Sequence, residues 1–74
     1  MVDYISQGKE LLKAKKYGEA RDNFTAYITA QTIEREESLG YYYRAIAWQE
    51  EGNIEQGEID FANAERERKF GKKH

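Results

Sequence analysis

Apolar and small residues return along this chain at helical spacing, and the series occurs twice. Tyr4, Gly8 and Leu11 form one stripe, with Val2, Ile5 and Leu12 beside it; residues three and four apart share one face of a helix. Asp3 stands ahead of the stripe, where its carboxylate can accept from the free N–H groups of a first turn. The pattern fades at Lys15–Lys16, whose cations suit the negative end of a helix, and Gly18 is expected to loosen the turn. A second stripe of Ala20, Phe24, Tyr27 and Ile28 predicts a second helix. Ala20 would admit the first helix closely and Phe24 would fill the space beyond it. Alternation of the strand type is absent, there is no Pro, and strong helix formers dominate, so the expected fold class is all-α.

Thirty-seven residues later the plan repeats. Tyr41, Ala45 and Trp48 stand where Tyr4, Gly8 and Leu11 stood, and Ile54, Gly57, Phe61 and Ala64 match Tyr17, Ala20, Phe24 and Tyr27, with Ile54, Phe61 and Ala64 as the expected core stripe of the last helix. Between them Gly52 can take the left-handed conformation that ends a helix, and Asn53 can cap the next one. The pattern therefore predicts two stacked antiparallel helical hairpins, four helices in one domain over residues 1–74. The first unit spans about 2–31, the second about 36–70, and 71–74 form a basic tail. The joining stretch 29–38 contains neither Gly nor Pro. A break is expected near Gln31–Thr32, with Thr32 as cap and Glu34, Glu36 and Glu37 complementing the next helix start; the alternative is one long fused helix.

The two units resemble the tetratricopeptide repeats, whose pattern runs W-x2-L-G-x2-Y and then A-x3-F. Here the first gives Tyr4-x2-Gln7-Gly8-x2-Leu11 and Ala20-x3-Phe24, the second Tyr41-x2-Arg44-Ala45-x2-Trp48 and Gly57-x3-Phe61. Four departures stand out. Gln7 and Arg44 replace Leu, which is expected to weaken each hairpin's core. Gly57 replaces Ala inside a helix, at about 0.5–1 kcal/mol, so the second hairpin is expected to be the weaker. The terminal Pro is missing, and the period exceeds the family's, which is about 34.

The resemblance implies a TPR-like α-solenoid and a protein-binding role, with the concave face of the first helices receiving a peptide. Residues at those positions are Ile5, Lys9, Leu12 and Lys13, then Leu39, Tyr42, Tyr43, Ile46, Gln49 and Glu50. Three consecutive tyrosines, 41–43, cannot share one core, because neighbours on a helix are about 100° apart. Some family members clamp a chaperone's C-terminal carboxylate with Lys and Asn. With Ile5 and Lys9 on the first helix, Tyr43 at the Asn place and no third repeat, that ligand is not expected.

Chemistry is constrained by what is missing. With no Cys, and His74 at the very end of the chain, nucleophilic triads and His/Cys metal sites have no residues to draw on. The protein is expected to be non-enzymatic, with no cofactor. The acidic run Glu50, Glu51, Glu55, Glu58 and Asp60 reads as a solvated face. Basic and acidic residues nearly balance, 12 against 14, and they balance equally in each half, so nucleic acid is not an expected partner. Lys9, Lys13, Lys15 and Lys16 and the group Arg66, Arg68, Lys69, Lys72 and Lys73 fall at helix ends. No apolar run approaches the ~20 residues of a membrane span, and the expected location is cytoplasmic. Repeat arrays bury each unit on the next. The face of the last helix carrying Ile59, Ala62 and Phe70 is therefore an expected self-association site, giving a homodimer packed end to end or domain-swapped through 29–38. The alternatives are a structural or designed repeat scaffold without a dedicated ligand, and a nucleic-acid adaptor using the tail.

Overall fold

The computed structural model describes residues 3–30 and 37–70, and the regular structure among them is all α-helix. Helix α1 spans Tyr4–Lys13, α2 Tyr17–Thr29, α3 Glu37–Glu51 and α4 Ile54–Phe70. Helix α2 stops at Thr29, and Ala30 is extended with ψ 141°, so α2 and α3 are separate and the fused alternative does not hold. The expected break at Gln31–Thr32, the Thr32 cap, the tail 71–74 and the Phe70 side chain lie outside the described residues.

Capping explains where α1 begins. The Ser6 N–H donates to Asp3 Oδ1 at 3.1 Å and the Ser6 hydroxyl to Asp3 Oδ2 at 2.8 Å. The backbone bond from Ser6, then that from its hydroxyl, hold the Asp3 carboxyl below its ordinary value of 3.8.

Both hairpins turn by the same device. In the first, Lys15 N–H donates to the Leu12 carbonyl at 2.9 Å and Lys16 N–H to the Leu11 carbonyl at 2.8 Å. In the second, Gly52 N–H donates to Gln49 at 3.0 Å and Asn53 N–H to Trp48 at 2.8 Å. This is the paired closure of a left-handed helix end, with φ 63° at Lys15 and 106° at Gly52. The first turn thus depends on Lys15 rather than Gly18, which lies inside α2.

Among the described helices α1 packs on α2, and α3 packs on α1, α2 and α4, whereas α4 touches α3 alone. Such a layer is thin, 36 × 30 × 14 Å, and its interior is mostly alanine. Ala20, Phe24, Ala45 and Ala47 have no exposed surface, and Phe24 is the one large side chain fully buried among the described residues. Helix α3 serves two neighbours with two faces. Gly40, Tyr43 and Ala47 turn toward the first hairpin, where Ala20, Phe24 and Ala47 form the core with Ile5, Leu11, Leu12 and Tyr43 around them. Ala45 and Gln49 turn toward α4.

Close approach is set by a different small residue in each hairpin. A Cβ at Gly8 would lie 2.9 Å from Phe24 Cδ1, so the Phe24 ring rests on α1. In the second hairpin the glycine is on the other helix: a Cβ at Gly57 would lie 3.0 Å from the Ala45 carbonyl oxygen and strike the Gln49 side chain. Gly57 is therefore the contact point of α3 and α4, not merely a weakness.

Two further expectations are corrected. Ile54, assigned to the core stripe, is 51% exposed, whereas Asp60, assigned to a solvated acidic run, is only 4% exposed. The reason lies in Arg44. Its Nε and Nη2 donate to the two Asp60 carboxylate oxygens at 2.8 and 3.0 Å, and its Nη1 donates to Thr25 Oγ1 at 2.9 Å. A bidentate pair of this kind satisfies the buried carboxylate. In the first hairpin Asn23 Nδ2 donates to Gln7 Oε1 at 3.1 Å. Gln7 and Arg44 are equivalent positions, and so are Asn23 and Asp60. The polar residue at this repeated position is thus matched in each hairpin by a polar partner on the next helix.

Candidate functional site

The three tyrosines of α3 diverge as helical geometry requires, and each meets a different neighbour. Tyr43 stacks on Phe24 of α2, with centroids 5.6 Å apart and planes at 26°, while Lys9 of α1 sits 5.3 Å from the Tyr43 centroid. Tyr42 meets Tyr43 edge-on at 5.3 Å and Phe61 of α4 at 5.7 Å. Tyr41 faces the Arg44 guanidinium at 5.4 Å. A continuous aromatic ridge, Phe24–Tyr43–Tyr42–Phe61, therefore runs from α2 across α3 to α4. Offset and edge contacts of this kind favour a fixed arrangement of the rings.

The residues expected to line one groove divide among several environments. Ile5, Leu12 and Tyr43 are half-buried against the first hairpin's core. Gln49 is half-buried over Gly57. Lys9 is exposed above Tyr43, and Lys13 is exposed 3.6 Å from Glu10. Ile46 is half-buried and Glu50 is exposed, on the same helix. Leu39 and Tyr42 remain open, at 38% and 45% exposure. They line a shallow cleft of about 410 Å³ together with Ser38, Ala64 and Arg68. The structure thus takes part of the expected groove into packing and leaves its apolar remainder at the α3–α4 end. Of the residues expected to self-associate, Ile59 is 54% exposed and Ala62 is exposed.

A clasp between the hairpins escaped the periodicity reading. The Arg21 guanidinium of α2 lies 4.0 Å from the Trp48 ring centroid and pairs with the Glu51 carboxylate. Stacking on Trp with a charge partner beyond it is a role suited to the planar guanidinium. Only the opposite signs of Arg21 and Glu51 hinted at it in the sequence.

Chemically the surface offers packing and charge. The one buried carboxylate among the described residues, Asp60, is occupied by Arg44, whose own pKa is raised chiefly by that hydrogen bond. Among the described residues no group of three or more His, Cys, Asp or Glu is placed to hold a metal ion, and no helix is long and apolar enough to cross a membrane. Compared with known proteins, the chain matches no family model, no curated protein and no solved structure.

Proposed function

We propose that the chain is a non-catalytic protein-binding module built of two tetratricopeptide-like hairpins, and that its binding surface centres on Leu39, Tyr42 and Ile46. The observation carrying this reading is Tyr42. The residue is 45% exposed yet its ring is held between Tyr43 and Phe61, so a partner contacting it orders little that is not already ordered. Pre-set aromatic side chains of this type dominate binding energy at protein interfaces. The repeat reading is supported by contacts recurring at equivalent positions: the Gln7–Asn23 and Arg44–Asp60 pairs, and the Lys15 and Gly52 turns.

The test is capture of proteins from lysate on immobilised chain, comparing the wild type with Tyr42→Ala combined with Ile46→Ala. Helical content by circular dichroism confirms that the variant is folded. Proteins retained by the wild type and lost by the folded variant support the surface, and an unchanged set refutes it.

A further inference from the structure

The chain contains its own example of what sits on the end of a hairpin. Helix α3 covers the first hairpin by placing Gly40 against Tyr27 and Ile28, Tyr43 on Phe24, Ala47 against Ala20 and Phe24, and Trp48 and Glu51 against Arg21. Moved on by one period, these seats become Ala64 and Glu65, Phe61, Gly57 and Glu58 on α4, flanked by Tyr42, Ile46 and Gln49 on α3. No described helix covers them, since α4 touches α3 alone.

Three substitutions between the seats say what occupant would fit. First, Tyr27, which closes against Gly40, becomes Ala64, and the cleft lined by Leu39, Tyr42, Ala64 and Arg68 opens there. A bulky apolar side chain in place of glycine would fill it. Second, Arg21, which holds Glu51, becomes the exposed Glu58. A cation at the far end of the incoming helix meets that carboxylate. Third, Lys9, which lies over Tyr43, becomes Ile46, so the middle of the seat gains apolar surface.

The chain's own α1 does not match this description. Its residues equivalent to Gly40, Tyr43, Ala47 and Glu51 are Asp3, Ser6, Glu10 and Ala14. Docking a second copy head to tail would put Glu10 where Ala47 is fully buried, and a buried carboxylate without a partner is strongly unfavourable. The α1 side is a solvated cap, and the α3–α4 side is the receptive one.

From this we infer that the open end of the second hairpin, formed by Tyr42, Ile46, Phe61, Ala64 and Glu58, seats one amphipathic helix of a partner protein. That helix runs parallel to α3, carries a bulky apolar residue in its first turn for the Ala64 cleft, and has a Lys or Arg at its end for Glu58. The inference rests on the repeat reading above and gives the partner's chemistry.

Two labelled peptides of residues 37–51 test it by fluorescence anisotropy against the full chain. Both carry Gly40→Leu; one also carries Glu51→Arg and the other keeps Glu51. The Arg-ended peptide is expected to bind roughly tenfold more tightly, since exchanging an opposite for a like charge across an interface weighs heavily on affinity. Glu58→Arg in the chain is expected to reverse the order. Equal binding, or an order unmoved by Glu58→Arg in a chain still helical by circular dichroism, overturns the inference. So does preference for the Glu-ended peptide, which would place it on Arg21 in the seat of α3. Sedimentation equilibrium showing a dimer that excludes both peptides assigns the face to a second copy and equally overturns it. If the folded chain binds neither peptide yet loses captured proteins on the Tyr42 and Ile46 substitutions, the binding-module reading stands and only this occupant fails.

Discussion

The two hairpins use one frame with its small, charged and aromatic parts redistributed. In the first, glycine is on the leading helix and Phe24 lies buried upon it; in the second, glycine is on the following helix, and Phe61 is only half-buried against Tyr42. The first matches its polar pair with neutral amides, the second with a charged Arg44–Asp60 fork. The first is covered by α3, while no described helix covers the corresponding surface of the second. The difference teaches that equivalence in sequence is equivalence of position, and that burial is decided by what lies on top. Phe24 and Phe61 are the same residue at the same place in the repeat, yet only one is core.

That comparison can be broken most forcefully at the two phenylalanines. Phe24→Ala removes the one large side chain fully buried among the described residues and unseats Tyr43, an expected loss of about 3–5 kcal/mol. Phe61→Ala removes a half-buried ring from an open face and is expected to cost about 1–2 kcal/mol. Urea unfolding followed by circular dichroism reads both. Equal losses would mean that the open end of the second hairpin is covered in solution.

The polar pairs sharpen the same contrast. Asp60→Ala leaves the Arg44 guanidinium half-buried with, among the described residues, Thr25 and the Tyr41 face for partners, an expected loss of about 2–3 kcal/mol. Asn23→Ala removes one neutral hydrogen bond and is expected to cost about 0.5–1 kcal/mol. Replacing Arg44 and Asp60 together by Leu should recover most of the Asp60→Ala loss, because the orphaned charge goes with its partner. A double variant no more stable than Asp60→Ala alone would show that the fork itself, and not relief of a stranded cation, matters.

Much of this was legible in the residues, and the part that was not has a common cause. Stripes at helical spacing, the Asp3 cap and the Gly52 turn located four helices because such signals act within a few residues of themselves. The polar pairs were in principle visible too, since Gln7 with Asn23 and Arg44 with Asp60 repeat at one period. Reading Gln7 and Arg44 each as a lost Leu, without looking across to the next helix, hid them. The candidate surface was legible only in part. The 100° spacing requires Tyr41, Tyr42 and Tyr43 to diverge, but whether Tyr43 or Tyr42 stays exposed depends on where α2 and α4 lie, which no local pattern contains. Arg21 lay further from view, because its partners Trp48 and Glu51 belong to the other unit.

The smallest expected effect sits in the turns, which share one hydrogen-bonded frame while only the first carries a side chain at the positive-φ position. Lys15 and Gly52 occupy the same repeat position, both with positive φ, and the carbonyls they close onto are equivalent as well. A Cβ in the left-handed region crowds the neighbouring carbonyl at roughly 1 kcal/mol, a strain glycine does not carry. Lys15→Gly is therefore expected to stabilise the chain by about 0.5–1 kcal/mol, part of the gain being offset by the greater freedom glycine gives the unfolded chain. Gly52→Ala, which meets no atom within 4 Å, is expected to destabilise it by about 0.5–1 kcal/mol, its backbone strain being partly offset by the smaller freedom alanine gives the unfolded chain. Thermal melts of the two variants should move in opposite directions. If Lys15→Gly instead lowers the melting temperature, the Lys15 side chain supplies something at that turn beyond its backbone, and the two turns are alike only in hydrogen bonds.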